Sequence, residues 1–256
     1  MSEVATEPVA ALRGLGELRR VAIVPALNEE HTVPRVIDEL RAFDPDLDVV
    51  VVDDGSTDRT SEVAGARGAH VLRLPFNLGI GGAMQTGYQY AHEHGFDLAV
   101  QIDGDGQHDP SQFPRILEPV LRGDADIVVG SRFAEENDTG YRSSRSRRVG
   151  IRVLAWVVSR IVDQRVTDTT SGFQALNRGG IALFARDYPH DYPEVEATIM
   201  VFRHRLRLTE VPVAMRERSA GRSSITALRS IYYMVKVLLA IFVGLFRRNV
   251  IPEVEE

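Results

Sequence analysis

Leu98-Ala-Val-Gln-Ile-Asp103-Gly-Asp105-Gly-Gln107 decides the fold of this 256-residue chain. Its first five residues are a short, largely apolar run with the length and make-up of a buried strand. The run stops at two carboxylates separated by one glycine and followed by an amide. At the end of a strand, Asp103 and Asp105 can share one hard cation, with the Gln107 carbonyl as a further oxygen ligand. Mg²⁺ and Mn²⁺ prefer such oxygen sets, above all when substrate phosphates complete the shell. An Asp-x-Asp in isolation is as readily a turn; its position after an apolar strand gives it meaning.

The same layout repeats on either side. Val21-Ala-Ile-Val24 is an apolar run ending at Pro25, and Val33, Val36, Ile37, Leu40 and Phe43 follow at helical spacing. Val49 to Val52 is a second buried strand, stopped by Asp53-Asp54-Gly55-Ser56, and a helix follows over 57–65 with Thr57 or Ser56 near its cap. His70 to Leu74 reads as a strand and Gly79 to His94 as a helix with a glycine-rich start. Pro110 to Leu121 reads as a helix opened by proline, and Ile127 to Val129 as a fifth strand. Alternating strands and helices over 20–132 predict a mostly parallel sheet covered on both faces. Ligands bind such sheets beyond the carboxyl ends of the strands. The polar clusters Pro25–Glu30, Asp53–Asp58, Asp103–Asp109 and Ser131-Arg132 all fall there.

Beyond Arg132 the pattern loosens. Residues 134–148 are polar and arginine-rich and read as a loop. Val149 to Val162 and Glu194 to Leu206 read as helices, Thr167 to Gly172 as a turn and Leu208 to Met215 as a strand. Residues 1–19 read as a flexible leader without the apolar core of a signal peptide, which puts the activity on the cytoplasmic side. A 44% hydrophobic and 26% charged composition fits one globular domain. With no cysteine, disulfides, thiolate metal sites and cysteine nucleophiles are excluded. The net charge of -6 hides a split. Residues 1–139 hold 11 Arg against 25 Asp and Glu, whereas residues 140–256 hold 18 Arg and 1 Lys against 11 acids. A basic C-terminal half suits an anionic partner.

Asp53 and Asp54 can accept hydrogen bonds from a nucleobase and a ribose, while Asp58 reads as turn and cap chemistry. Asn77-Leu-Gly-Ile-Gly-Gly-Ala83 admits either close backbone approach to a phosphate or sugar, with Gly79 the candidate, or tight helix-on-sheet packing. It is not a P-loop, since no Gly-Lys-Ser/Thr follows.

Together these segments resemble glycosyltransferase family 2, and within it the polyprenol-phosphate (dolichol-phosphate) mannosyl- and glucosyltransferases. The resemblance is carried by Pro25-Ala-Leu-Asn-Glu29, Val51–Asp58, Asn77–Gly87, Asp103–Gln107, Gly130-Ser-Arg132, Asp168-Thr-Thr-Ser-Gly-Phe173 and Glu210-Val-Pro-Val213. It implies a GT-A fold, a three-layer sandwich with a mostly parallel central sheet over 20–225. It also implies an inverting, metal-dependent transfer of a hexose from a UDP- or GDP-linked donor. Pro25, Leu27, Glu29, Asp53, Asp54 and Asp103 would hold the nucleotide, and Asp105 and Gln107 the Mg²⁺ or Mn²⁺ on its diphosphate. Arg132 and the cluster Arg145, Arg147 and Arg148 would receive the acceptor. A lipid phosphate needs cationic positioning and no base; a saccharide or other hydroxyl acceptor would need one, and Glu196 is the candidate. A third reading is an inactive GT-A binding subunit. Two departures bear on the acceptor: Ser224 stands where the family commonly carries Lys, and Ile151 where the lipid-phosphate enzymes often carry serine.

Val237 to Phe246 is ten residues of unbroken apolarity, short of the roughly 20 that span a bilayer. With 226–256 it reads as an amphipathic helix lying on a membrane surface, packing on a partner or second copy, or docked on its own core. Peripheral contact with an anionic inner leaflet follows from the basic half beside it.

Overall fold

Arg20–Ala26 forms strand β1, every residue of which is buried. Successive side chains of a strand point to opposite faces, so Ala22 and Val24 enter one core and Val21 and Ile23 the other. A computed structural model describes residues 18–134, 145–190 and 192–216, with Lys236, Val237 and Leu239 beyond them; for 145–149 it describes the backbone alone.

β1 lies inside a seven-stranded sheet with β2 (Asp48–Asp53), β3 (His70–Arg73), β4 (Leu98–Gln101), β5 (Ile127–Ser131), β6 (Gln174–Asn177) and β7 (Leu208–Pro212). The order is β3-β2-β1-β4-β6-β5-β7. β6 runs antiparallel to β4 and β5, and the remaining pairings are parallel. Register sets the functional edge: Ala26 pairs with Asp53, Gln101 with Gln174, Val129 with Gln174, and Ser131 with Pro212. Because β6 is reversed, it starts at the edge where β4 and β5 end, and residues 168–173 arrive there.

The helices are α1 (Val33–Phe43), α2 (Thr60–Ala66), α3 (Gly79–Glu93), α4 (Phe113–Leu121), α5 (Arg145–Val162), α6 (Arg178–Arg186) and α7 (Pro193–Arg203). One face of the sheet packs Ile37 and Leu40 of α1 and Ile116 and Leu117 of α4. The other packs Met84 and Tyr88 of α3 and Ile181 and Phe184 of α6. A smaller core joins Leu154 and Val158 of α5 to Val195 and Ile199 of α7. The three-layer arrangement with a mostly parallel sheet is the one expected.

Four local expectations change. α5 starts at Arg145, inside the stretch read as a loop. α2 starts at Thr60 because Ser56 is not its cap: Ser56 Oγ accepts the Asn28 N–H at 2.9 Å, and Ser56 N donates to Asp53. Pro110 opens a short 3-10 turn before α4, with Asp109 accepting from Ser111 N at 2.9 Å. β6 and α6 had no counterpart in the sequence reading. β6 has only four residues, with polar Gln174 and Asn177 at its ends, and α6 begins Arg-Gly-Gly. α6 is started instead by Asn177 Oδ1, which accepts the Gly180 N–H at 3.0 Å.

Of the segment 226–256, Lys236, Val237 and Leu239 are helical, and Val237 is buried in the α5–α7 core while Leu239 is exposed. The rest of that segment, and Ser224, lie outside the described residues. Among the described residues no helix is long and apolar enough to cross a membrane.

Gly87, in α3, tests this packing. Alanine is worth about 0.5–1 kcal/mol more than glycine inside a helix, but a Cβ here would stand 2.3 Å from Ile23 Cγ2 of β1. Overpacking at about 1–3 kcal/mol outweighs propensity, so Gly87→Ala lowers the denaturation midpoint. A raised midpoint would show that α3 is free to move off the sheet.

Candidate active site

The loop after β1 and the loop after β2 are fastened to one another before either meets a ligand. Asn28 takes a left-handed backbone (φ 55), and its Oδ1 accepts the Thr57 N–H at 2.9 Å. Glu29 N donates to Thr60 Oγ1 at 2.9 Å, and the Glu29 carboxyl bonds the Thr32 hydroxyl. Glu30 N donates to Asp58 Oδ2 at 3.2 Å, so Asp58 serves the turn. Pro25 is buried at the end of β1, and Leu27 just beyond it is 41% exposed.

Asp53 and Asp54 are buried and already engaged. Asp53 accepts from Ser56 N at 2.8 Å and from the Ser61 hydroxyl. Asp54 accepts from Leu78 N at 2.7 Å and Gly79 N at 3.0 Å. Asp54 therefore holds the start of α3 against the end of β2. Behind it, a Cβ on Gly55 would lie 2.8 Å from the backbone of Phe76 and Asn77. The glycine-rich run divides between its two readings. A Cβ on Gly81 would meet the Pro189 carbonyl at 2.4 Å, a packing requirement, whereas Gly79 (φ +81) faces open space.

At the end of β4, Asp103 is partly exposed and Asp105 buried. Asp105 accepts from Gln107 N at 3.0 Å and Gln107 Nε2 at 2.9 Å, a turn made possible by Gly106 at φ +77. The Asp103 N–H donates to His108 Nδ1 at 3.1 Å. That bond assigns the imidazole proton to Nε2, which lies 3.6 Å from Asp103 Oδ2. His108 is itself buried and stacked on Phe173, centroids 4.9 Å apart. Arg216, just past β7, braces the loop from behind: its N donates to the Gln107 carbonyl at 2.9 Å, and its guanidinium bridges Asp109 and Glu39.

The donor set suits a hard divalent cation only in part. Asp103, Asp105 and Gln107 offer oxygens, yet no cluster of three or more His, Cys, Asp or Glu able to hold a metal occurs among the described residues. An ion here would need phosphate oxygens and water to complete its shell, the ordinary habit of Mg²⁺.

Arg132, at the end of β5, is not a free cation. Its Nε and Nη2 meet Asp168 at 2.7 and 2.8 Å, and Nη2 also donates to Thr170 Oγ1 at 2.6 Å. Both partners are almost wholly buried. Asp168 is held in turn by Glu210 of β7, whose carboxylate accepts Asp168 N at 2.9 Å, Thr167 N at 2.8 Å and Thr167 Oγ1 at 2.6 Å. Burial pushes the Glu210 carboxyl upward against these bonds.

Glu194, on the first turn of α7, is the carboxyl whose charge is coupled to the site. Burial first, then repulsion from Asp103 and Asp168 against attraction from Arg132, raises its pKa from 4.5 to about 7. Glu196 is two residues further along α7, about 200° around the helix, so it points away from Glu194's direction. Arg145, Arg147 and Arg148 lie in the first turn of α5. Sequence reasoning gave no role to His108, Asp168, Glu194 or Glu210. Asp168 and Glu210 stood inside quoted segments, and His108 directly follows Gln107.

The sequence model described as "Glycosyl transferase family 2" matches residues 21–187. The chain belongs to glycosyltransferase family 2. It is 32% identical over 225 residues to the undecaprenyl-phosphate mannosyltransferase of Micrococcus luteus, covering 82% of this chain and 88% of that protein. Similarity extends to the polyprenol monophosphomannose synthase of Mycolicibacterium smegmatis, 28% identical with 81% of each chain covered. Among solved structures, glucosyl-3-phosphoglycerate synthase from Mycobacterium tuberculosis, with Mn²⁺, UDP and glucosyl-3-phosphoglycerate, superposes with a TM-score of 0.70. At 23% identity, covering 95% of this chain and 85% of that one, the likeness establishes the GT-A fold. The family 2 enzyme therefore carries its polar clusters on the expected strand ends.

Two outcomes test this geometry. Asp168→Ala leaves Arg132 buried without its counter-charge, which costs about 3–5 kcal/mol; denaturant unfolding measures it, and a change below about 1 kcal/mol would mean that Arg132 escapes to water. For Glu194, the folded protein holds the proton more tightly than the unfolded chain. Its contribution to stability is complete below pH 4.5 and is lost as the pH rises through about 7. Glu194→Gln removes that decline from the stability–pH curve, and an unchanged curve would contradict the assignment.

Proposed function

We propose that the enzyme transfers a hexose from a nucleotide-diphosphate sugar to a polyprenyl phosphate, with inversion at the anomeric carbon. The observation carrying this reading is the convergence of the Asp103–Gln107 loop, the Asp53–Asp54 loop and Arg132 on one sheet edge. The names of the relatives support a polyprenyl-phosphate acceptor.

In this reading the Pro25–Glu29 and Asp53–Asp54 loops form the nucleoside cradle, whose shape the Asn28 and Asp54 hydrogen bonds fix in advance. Pre-formed loops lower the entropy cost of binding. Asp105 and Gln107, with Asp103 alongside, would hold Mg²⁺ or Mn²⁺. When bound, such an ion supplies charge stabilisation to the leaving diphosphate. His108 keeps Asp103 in place from beneath. A lipid phosphate is already an anionic nucleophile, so what the protein must supply is position and counter-charge. Arg145, Arg147 and Arg148 bring both at the start of α5, where the helix dipole also favours an anion.

A hydroxyl acceptor in cell-envelope glycan synthesis is the second reading, and Glu194 favours it. A carboxyl with a pKa of about 7 beside Asp103 and Arg132 has the proton affinity of a general base at neutral pH. That role passes from Glu196 to Glu194.

The test is donor turnover with UDP- and GDP-sugars and Mn²⁺, with and without a short-chain polyprenyl phosphate. Transfer requiring the lipid phosphate is expected. Turnover indifferent to it would favour the hydroxyl reading. Asp105→Ala should reduce turnover by at least a hundredfold with the thermal midpoint little changed; metal-stimulated turnover in that variant would remove Asp105 from the ligand set.

A further inference from the structure

The outer face of α5 combines features that the transfer reaction does not use. The helix carries five arginines and no acid. Its inner face is accounted for: Leu154 and Val158 are buried with Tyr192, Val195, Ile199 and Val237. Arg152, Val153, Trp156 and Arg160 are exposed, and helical periodicity gathers them into a stripe about 100° wide. Trp156 is 61% exposed and Val153 44%. The Arg160 guanidinium carbon lies 5.7 Å from the Trp156 ring centroid.

The chemistry of this stripe selects a lipid surface over a protein one. A stable protein interface takes about 800 Å² from each partner, well beyond four side chains on one helix. Tryptophan is favoured where one end of the ring is apolar and the other wet, as at the boundary between headgroups and acyl chains. Arginine can lay its stem along apolar surface and keep its charge among anionic headgroups. No acid on the helix opposes that charge.

The placement fits as well. Ser159 Oγ accepts from Val166 N at 2.9 Å, and Thr167 Oγ1 is 2.7 Å from Ser131 Oγ at the end of β5, next to Arg132. The last turn of α5 is thus tied to the edge of the sheet where the acceptor is read to enter.

We propose that Arg152, Val153, Trp156 and Arg160 form the surface by which the enzyme rests on an anionic bilayer, with Trp156 entering the interface. This deepens the lipid-acceptor reading, on which its purpose rests, and it moves the membrane contact from residues 226–256 to a helix of the folded domain.

Trp156 is the only tryptophan in the chain, so intrinsic fluorescence reports from the proposed contact itself. The full chain is titrated with vesicles of phosphatidylcholine containing phosphatidylglycerol, and with phosphatidylcholine alone. The expected result is a blue shift and protection from iodide quenching with the anionic vesicles only. Arg152→Glu with Arg160→Glu should weaken vesicle affinity by roughly thirtyfold or more, and Trp156→Phe should weaken it in a sedimentation assay. Sedimentation with vesicles without any change at Trp156 would overturn the proposal, as would absence of binding. So would a blue shift that grows with protein concentration alone, which marks self-association. Transfer to a water-soluble short-chain polyprenyl phosphate, measured without vesicles, separates the two readings: the double arginine variant should keep it. If the wild-type protein lacks that transfer while Trp156 still enters anionic vesicles, the acceptor reading fails and the membrane surface stands.

Discussion

The reversed strand β6 is the constraint on which the site depends. A purely parallel sheet would deliver only strand ends to its carboxyl edge, each followed by a helix leading away. By running antiparallel between β4 and β5, β6 obliges the preceding residues 168–173 to reach that edge from outside. Asp168 is thereby set against Arg132, Phe173 under His108, and Gly172 against Asp103, where a Cβ would lie 3.2 Å from Oδ1. β7, the edge strand paired parallel with β5, supplies Glu210 to hold the arriving loop.

That edge is crowded with carboxylates, and the fold pays little for them because most are given hydrogen-bond donors. Asp53, Asp54, Asp105 and Glu210 each accept at least one backbone N–H, and charge-assisted bonds of this kind are among the stronger ones. The same bonds fix loop shape. At Glu194 desolvation outweighs the hydrogen bond from its own backbone, and its pKa is raised to about 7.

The alternation of apolar strand and polar turn was legible over residues 20–132, because parallel strands buried on both faces are continuous apolar runs and their ends carry the chemistry. Pro25, Asp53, Asp54, Asp103 and Arg132 stand at the strand ends where the sequence pattern put them. What escaped is what local pattern does not encode. β6 has four residues and no hydrophobic periodicity to announce it. α5 extends four residues into an arginine run whose polarity resembles a loop. The partners that orient the site are distant in sequence: Asp168 is 36 residues from Arg132, and Glu210 a further 42 from Asp168. No spacing rule reaches that far.

The paired state of Arg132 changes where the counter-charge for an anionic acceptor must come from. A guanidinium bound through two nitrogens to a wholly buried carboxylate presents the site with little net charge. Its value lies in a fixed direction: the ion pair ties β5 to the 168–170 loop and keeps that loop from spreading. In the lipid-acceptor reading positive charge is then needed elsewhere, and the sequence places Arg145, Arg147 and Arg148 in the first turn of α5. The same helix displays Arg152, Trp156 and Arg160 on its outer face. One element would thus hold the acceptor's phosphate at its start and the surface in which the acceptor's chain is dissolved along its length. Because both would sit on one helix, the rise of about 1.5 Å per residue would fix the distance between them.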